Sequence, residues 1–270
     1  MRRLYRVWSQ SPRLFLWIVA KNAVHPFRRL LSRHRQRGNA RFDRQAGVRT
    51  NGKMTVEELG LSPVHSHGYE ATPINFFHSV LAKLSTDYKR TVFIDLGCGK
   101  GRTLLLASDY PFRSIIGVEI SEALSRIAVE NVKRYASTRR NLPEISILCR
   151  AIEDFEYDTI QRSNHVLVYM FNPCGEPVFA AGLQKLSCLA AQGVRVTIIY
   201  LNPTYLEVLA TASWLKEICR GETFADASNC FIAYVVFQSL PSPGKEMVSS
   251  DPMSGRQPRK VLESSCFPKQ

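Results

Sequence analysis

"FIDLGCGKGRTLLLAS", Phe93 to Ser108, decides how the rest of the chain is read. An apolar run ends on an acid, Asp95. Glycines follow at alternate positions 97, 99 and 101, and a second apolar run begins at once. Glycine weakens a helix or a strand, so three in five residues mark a backbone that turns sharply or is approached closely. The stretch reads as strand, tight turn and helix.

Working outward, the same alternation repeats. Short apolar runs rich in β-branched residues lie at 91–96, 114–119, 144–148, 165–171 and 194–201, with amphipathic segments at 73–86, 101–109, 121–136, 176–190 and 204–213. Apolar strands alternating with helices predict an α/β fold whose parallel sheet is covered on both faces. The last two runs, 214–220 and 229–237, have no helix between them and predict an antiparallel hairpin. In such a doubly wound sheet, ligands bind at the carboxyl ends of the strands where strand order reverses. The glycine turn lies there.

The turn excludes two phosphate-binding patterns. G-x-x-x-x-G-K-[ST] fails because Lys100 is followed by Gly101, and G-x-G-x-x-G would need glycine where Arg102 stands. What the stretch resembles is the first motif of the class I S-adenosylmethionine-dependent methyltransferases, roughly hydrophobic-D-x-G-x-G-x-G. The resemblance covers about 70–237. It implies a Rossmann-like, doubly wound seven-stranded sheet with an antiparallel last strand, and S-adenosylmethionine as cofactor. On this resemblance Asp95 lies near the cationic tail and sulfonium, while Gly97, Gly99 and Gly101 let the loop approach the methionyl part. Glu119, 22 residues after Gly97, stands where a carboxylate takes both ribose hydroxyls. The same geometry serves nicotinamide dinucleotides, so an NAD-dependent oxidoreductase stays open as an alternative. The family's acid for the adenine amino group falls on Ala151, in "CRAIEDF" (149–155). Ile152 is left to pack on the adenine face, with Glu153 or Asp154 as substitutes for the acid.

The fourth strand runs into "YMFNPCGEP" (169–177). Amino-methylating members carry [DNS]-P-P-[YF] here, where a polar side chain and a proline carbonyl hold the acceptor nitrogen. Asn172 and Pro173 match the first half; Cys174 and Gly175 depart from the second. The stretch is similar to the N-P-F variant of a broad, poorly characterised bacterial group. That group also tends to carry a segment like "GYEATP" (68–73), whose Tyr69 and Thr72 help close the cofactor site. The implied activity is N-methylation of a protein lysine or another amine by direct displacement, with Asn172 and Pro173 orienting the acceptor and Phe171 shielding the methyl; O-methylation is the alternative to it, and RNA stays open as an acceptor. Asn-Pro is also a common turn opener. Methyl transfer needs alignment and exclusion of water more than a strong base, and His165 is the one histidine weighed for such a role. His65 and His67 in "PVHSHGY" read as a polar loop, and no metal site is assigned. The other alternative is a methyltransferase-like protein without turnover that binds RNA or anionic membrane, which the loss of an acid at Ala151 favours.

The net charge of +13 is unevenly spread: residues 1–44 hold twelve of the 36 Lys/Arg and one acid, Asp43, leaving +2 for the rest. This arm mixes its bases with Trp8, Phe15, Trp17 and several aliphatic residues. It predicts a basic amphipathic helix, a footprint for anionic membrane or nucleic acid. Residues 1–53 form arm and linker, 54–238 the methyltransferase domain with a cap at 54–90, and 239–270 a Ser/Pro-rich disordered tail. Removing 1–44 is expected to leave cofactor binding intact. Seven cysteines without a C-x-x-C pair, and no apolar run near ~20 residues, predict a cytoplasmic location, peripheral to a membrane if the arm meets lipid.

Overall fold

The computed structural model describes residues 40–157, 160, 163–225 and 230–241. The expected amphipathic helix before residue 40 and the expected disordered tail beyond 241 lie outside the described residues.

Among the described residues nine strands form: β1 (Lys53–Met54), β2 (Tyr69–Glu70), β3 (Thr91–Leu96), β4 (Ser114–Glu119), β5 (Ile145–Cys149), β6 (His165–Phe171), β7 (Arg195–Leu201), β8 (Leu215–Ala225) and β9 (Cys230–Ser239). Seven make one sheet in the order β5-β4-β3-β6-β7-β9-β8. The five expected parallel strands fall within one residue of their predicted ends, because a strand covered on both faces is apolar throughout. All six residues of β3 are buried, as are His165–Met170 of β6. The predicted hairpin is β8–β9, and β9 runs antiparallel to β7.

Alternate side chains of each strand feed two cores. Val92, Ile94 and Leu96 of β3 pack with Val166, Val168 and Met170 against α4 (Glu176–Ala191). Phe93 and Leu167 face α1 (Ile74–Leu81) and α2 (Arg102–Ala107) on the other side. Helix α3 (Glu122–Ser137) starts at Ser121, whose hydroxyl accepts the Leu124 amide at 3.4 Å. Helix α5 (Leu206–Ala210) is shorter than expected, and α1 stops at Leu81 because Lys83 and Leu84 close tight turns onto Val80 and Leu81. No helix among the described residues is long and apolar enough to cross a membrane.

One expectation fails over part of the supposed arm and linker at 1–53. Residues 40–46 are helical, and Ala46, Val48 and Thr50 are buried, Ala46 and Val48 against Leu105 and Tyr135. This strap then pairs through β1 with β2, joining Met54 to Tyr69. The described part of the strap belongs to the folded body.

Candidate functional site

Strand order reverses at β3, whose neighbours are β4 on one side and β6 on the other. A cavity of about 830 Å³, its open mouth included, lies at their carboxyl ends. Its floor is the glycine loop, its roof the cap between Leu59 and Thr72, and its far wall the segment after β6.

Carboxylates dominate its charge. Asp95 ends β3 almost fully buried and receives the Thr103 hydroxyl. Burial pushes its carboxyl up to about 7; the Thr103 hydrogen bond opposes this and the Glu119 charge adds to it. Glu119 ends β4, and burial raises it as well. Its Oε2 accepts the Gly99 amide and its Oε1 the Ser121 amide, both at 2.8 Å. Each carboxylate oxygen keeps a further lone pair, so Glu119 is oriented by the backbone and can still accept two hydroxyls. Asp95, Glu119 and Glu153 against the buried Arg102 make a cavity suited to a cation and hostile to a pyrophosphate.

Next to Glu119 the cavity is flanked by apolar side chains. Ile152 is buried, whereas Ile120 is 45% exposed, a large apolar group left open at the cavity. Two isoleucines suit the faces of a flat ring. Glu153 lines the same region, and its Oε2 is buried without a hydrogen-bond partner. An orphaned carboxylate oxygen costs free energy unless a donor arrives. An acid thus stands at the cavity two residues after Ala151. Ile120 escaped the sequence reading; an apolar residue directly after Glu119 was the available signal.

The loop's glycines have two uses. Gly97 and Gly99 both have positive φ, 85° and 55°. A Cβ on Gly97 would lie 2.3 Å from Pro173 Cβ, and one on Gly99 2.3 Å from the Tyr69 ring. The loop is thus packed against the two walls as well as open to the cavity. Gly101 caps α2 opposite Ala128 of α3 and does not border the cavity.

Tyr69 and Thr72 line the cavity at its roof, and each is anchored. The Tyr69 hydroxyl donates to the Thr50 carbonyl, and Thr72 Oγ1 pairs with the Tyr169 hydroxyl at 2.8 Å. Arg102 was missed by the sequence reading. Its guanidinium, 2% exposed, donates to Thr50 Oγ1 and to the Thr72 carbonyl and lies 3.6 Å from Asp43. Asp43 in turn accepts the Thr50 amide and hydroxyl and the Asn51 amide. The strap is therefore tied to the glycine loop, and a truncation at residue 44 would cut through that tie.

Beyond β6, Pro173 lines the cavity and Asn172 does not. Asn172 has φ 41°, which turns its amide away; Oδ1 accepts the Tyr200 hydroxyl at 3.0 Å. Its carbonyl accepts Nδ1 of His67 at 2.9 Å, and the Pro173 carbonyl accepts the His67 amide. His65 and His67, expected in a polar loop, stand at the cavity with Phe171. His165 is at the amino end of β6, between the Thr91 and Thr197 hydroxyls, and burial lowers it to about 4. It takes no part in the site. Cys174 lines the cavity with its thiol pushed up to about 12 by burial, so it is no nucleophile near neutrality. No metal-holding cluster occurs among the described residues.

Residues 89–173 match the model of a family described as "Putative methyltransferase". No curated protein matches the chain. Among solved structures, it is similar to TrmN from Thermus thermophilus, at 16% identity over 63% of this chain and 49% of that one, with a TM-score of 0.46. A second is Streptococcus pneumoniae Sp1610, "a putative tRNA (m1A22) methyltransferase", at 14% identity, 63% and 72% coverage, and a TM-score of 0.43. A third is a "putative S-adenosylmethionine dependent methyltransferase" from Listeria monocytogenes, at 13% identity, 61% and 98% coverage, and a TM-score of 0.41. The chain spans about half the length of the Thermus protein. The family match runs from the start of β3 through the glycine loop and Glu119 to Pro173, which is the half of the cavity that holds Asp95, Glu119, Ile152 and Glu153. That match lies on this sheet and this loop, so the pattern of a methyltransferase family covers residues 89–173 of the chain.

Proposed function

We propose that the chain binds S-adenosylmethionine in this cavity and transfers its methyl group by direct displacement to an acceptor entering past the cap. The observation that carries the reading is the Glu119–Ile120–Ile152–Glu153 set: a carboxylate with lone pairs for two ribose hydroxyls, two apolar faces, and a buried oxygen awaiting a donor such as the adenine amino group. Asp95 faces the cationic end. Bound there, the cofactor supplies an electrophilic methyl on a sulfonium. The residues of the chain orient it, exclude water and present the acceptor. Glu153 removes the argument for a binder without turnover, which rested on Ala151. The excess of carboxylates argues against a dinucleotide.

The amine acceptor read from Asn172-Pro173 loses the Asn172 side chain, which meets Tyr200 and does not line the cavity. The carbonyls of Asn172 and Pro173 each accept one hydrogen bond from His67 and keep a second lone pair. A protein lysine or other amine keeps those carbonyls and the position of the turn in its favour. RNA or anionic membrane remains a partner for the basic residues of 1–44 on charge alone.

The test is ligand-dependent melting. S-adenosylhomocysteine at ~100 times its dissociation constant adds roughly 2.7 kcal/mol, a rise of about 5–10 °C for a body of this size. NAD at equal concentration should give none. Glu119→Ala should cost two hydrogen-bond partners and Glu153→Ala one, the latter weakening binding about tenfold. A larger rise with NAD would reverse the assignment.

A further inference from the structure

His67 is bonded in a way that fixes its tautomer. Nδ1 lies 2.9 Å from the Asn172 carbonyl oxygen. A carbonyl only accepts, so Nδ1 carries the hydrogen and the neutral ring presents its lone pair on Nε2. Nε2 has no partner among the described residues, and His67 lines the cavity. The backbone holds the residue as firmly as the side chain does. The His67 amide donates to the Pro173 carbonyl at 3.1 Å, Ser66 bridges to Cys174, and the Gly175 amide donates to the His65 carbonyl at 3.1 Å. A roof residue is thus locked to the turn that follows β6, beside Phe171 and Pro173.

These bonds take one lone pair from each of the two carbonyls, and the Asn172 amide meets Tyr200 outside the cavity. Beside them stands a fixed imidazole with a free lone pair, the group a hydroxyl needs and a free amine does not. We propose that His67 is the general base for a hydroxyl-bearing acceptor, making the chain an O-methyltransferase. The inference rests on the cofactor assignment above. The acceptor O–H gives its proton to Nε2. Its oxygen forms the new bond to the methyl carbon while the sulfur–methyl bond breaks, and that electron pair stays on sulfur. The neutral thioether, the methyl ether or ester and an imidazolium result, and the imidazolium later loses its proton to water. Nδ1–H···O=C keeps the ring in place through both charge states.

His67→Asn separates the two nitrogens, because its amide nitrogen can still donate to Asn172 while nothing replaces Nε2. Labelled S-adenosylmethionine is incubated with a cell extract and the full-length protein. The label is then divided into amine-bound methyl and methyl ether or ester by hydrolysis. The expected result is label on oxygen, an initial rate about 100-fold lower for His67→Asn, and unchanged S-adenosylhomocysteine affinity by calorimetry. Added imidazole should restore the rate of His67→Gly. Nitrogen-15 NMR of the histidines, with no cofactor present, should show the Nδ1–H form for His67. Label on nitrogen, a His67→Asn rate equal to wild type, or the Nε2–H form overturns the proposal. Absence of S-adenosylhomocysteine binding by the wild type refutes the cofactor reading instead.

Discussion

Asp95 connects burial to pH. Its carboxyl titrates near 7 in the folded chain against 3.8 unexposed to the fold. Its contribution to stability is therefore fully present below about 3.8 and declines as pH rises through about 7. A cationic ligand needs the ionised form, so binding below pH 7 must expel a proton. Cofactor affinity should fall close to tenfold per unit as pH drops from 7 to 5.5 and level off above 7.5. Calorimetry in buffers of different ionisation enthalpy should detect the released proton. Asp95→Asn should bind weakly and lose the pH dependence. Affinity independent of pH in the wild type would mean that the cation does not sit against Asp95. This residue was legible from its place before the glycines, and so was Glu119. Glu153 was legible only as a substitute, since an acid two positions late in a loop has no periodicity to reveal it. Arg102 and His67 were not legible, because their partners lie 30 or more residues away and only the folded backbone brings them together.

Among the elements, the strands were the easiest to read and the strap the hardest. A strand buried on both faces announces itself as a continuous apolar run. The strap hides small or polar residues instead: Ala46, Val48 and Thr50 are buried while Gly47 and Arg49 are exposed. That alternation over five residues was its only signal, inside a stretch otherwise full of charge. Its central contact is testable. Asp43→Ala would take the carboxylate away from the buried Arg102 guanidinium and strip acceptors from Thr50 and Asn51. Removing one partner of a buried pair costs about 3 kcal/mol or more, so thermal unfolding should begin roughly 6–12 °C lower. A shift under 2 °C would make the strap an ornament of the fold.

At the scale of the molecule, charge and catalysis separate along the chain. Residues 1–39 carry ten Lys/Arg and no acid, and the cut point that spares Asp43 lies before residue 40. Deletion of 1–39 should preserve melting temperature and cofactor affinity while lowering co-sedimentation with anionic vesicles at 0.1 M salt, where the Debye length is about 10 Å. Equal co-sedimentation of the two forms would remove any role for the arm at a lipid surface. The roof and the turn after β6 carry a different kind of consequence. The bonds joining residues 65–67 to 173–175 are almost all between main-chain atoms. Such a seam is blind to what its side chains are. Over generations, mutations at the exposed His65 can remodel the entrance while the seam stays shut, so descendants of this scaffold can change what meets the cavity mouth without first losing the fold.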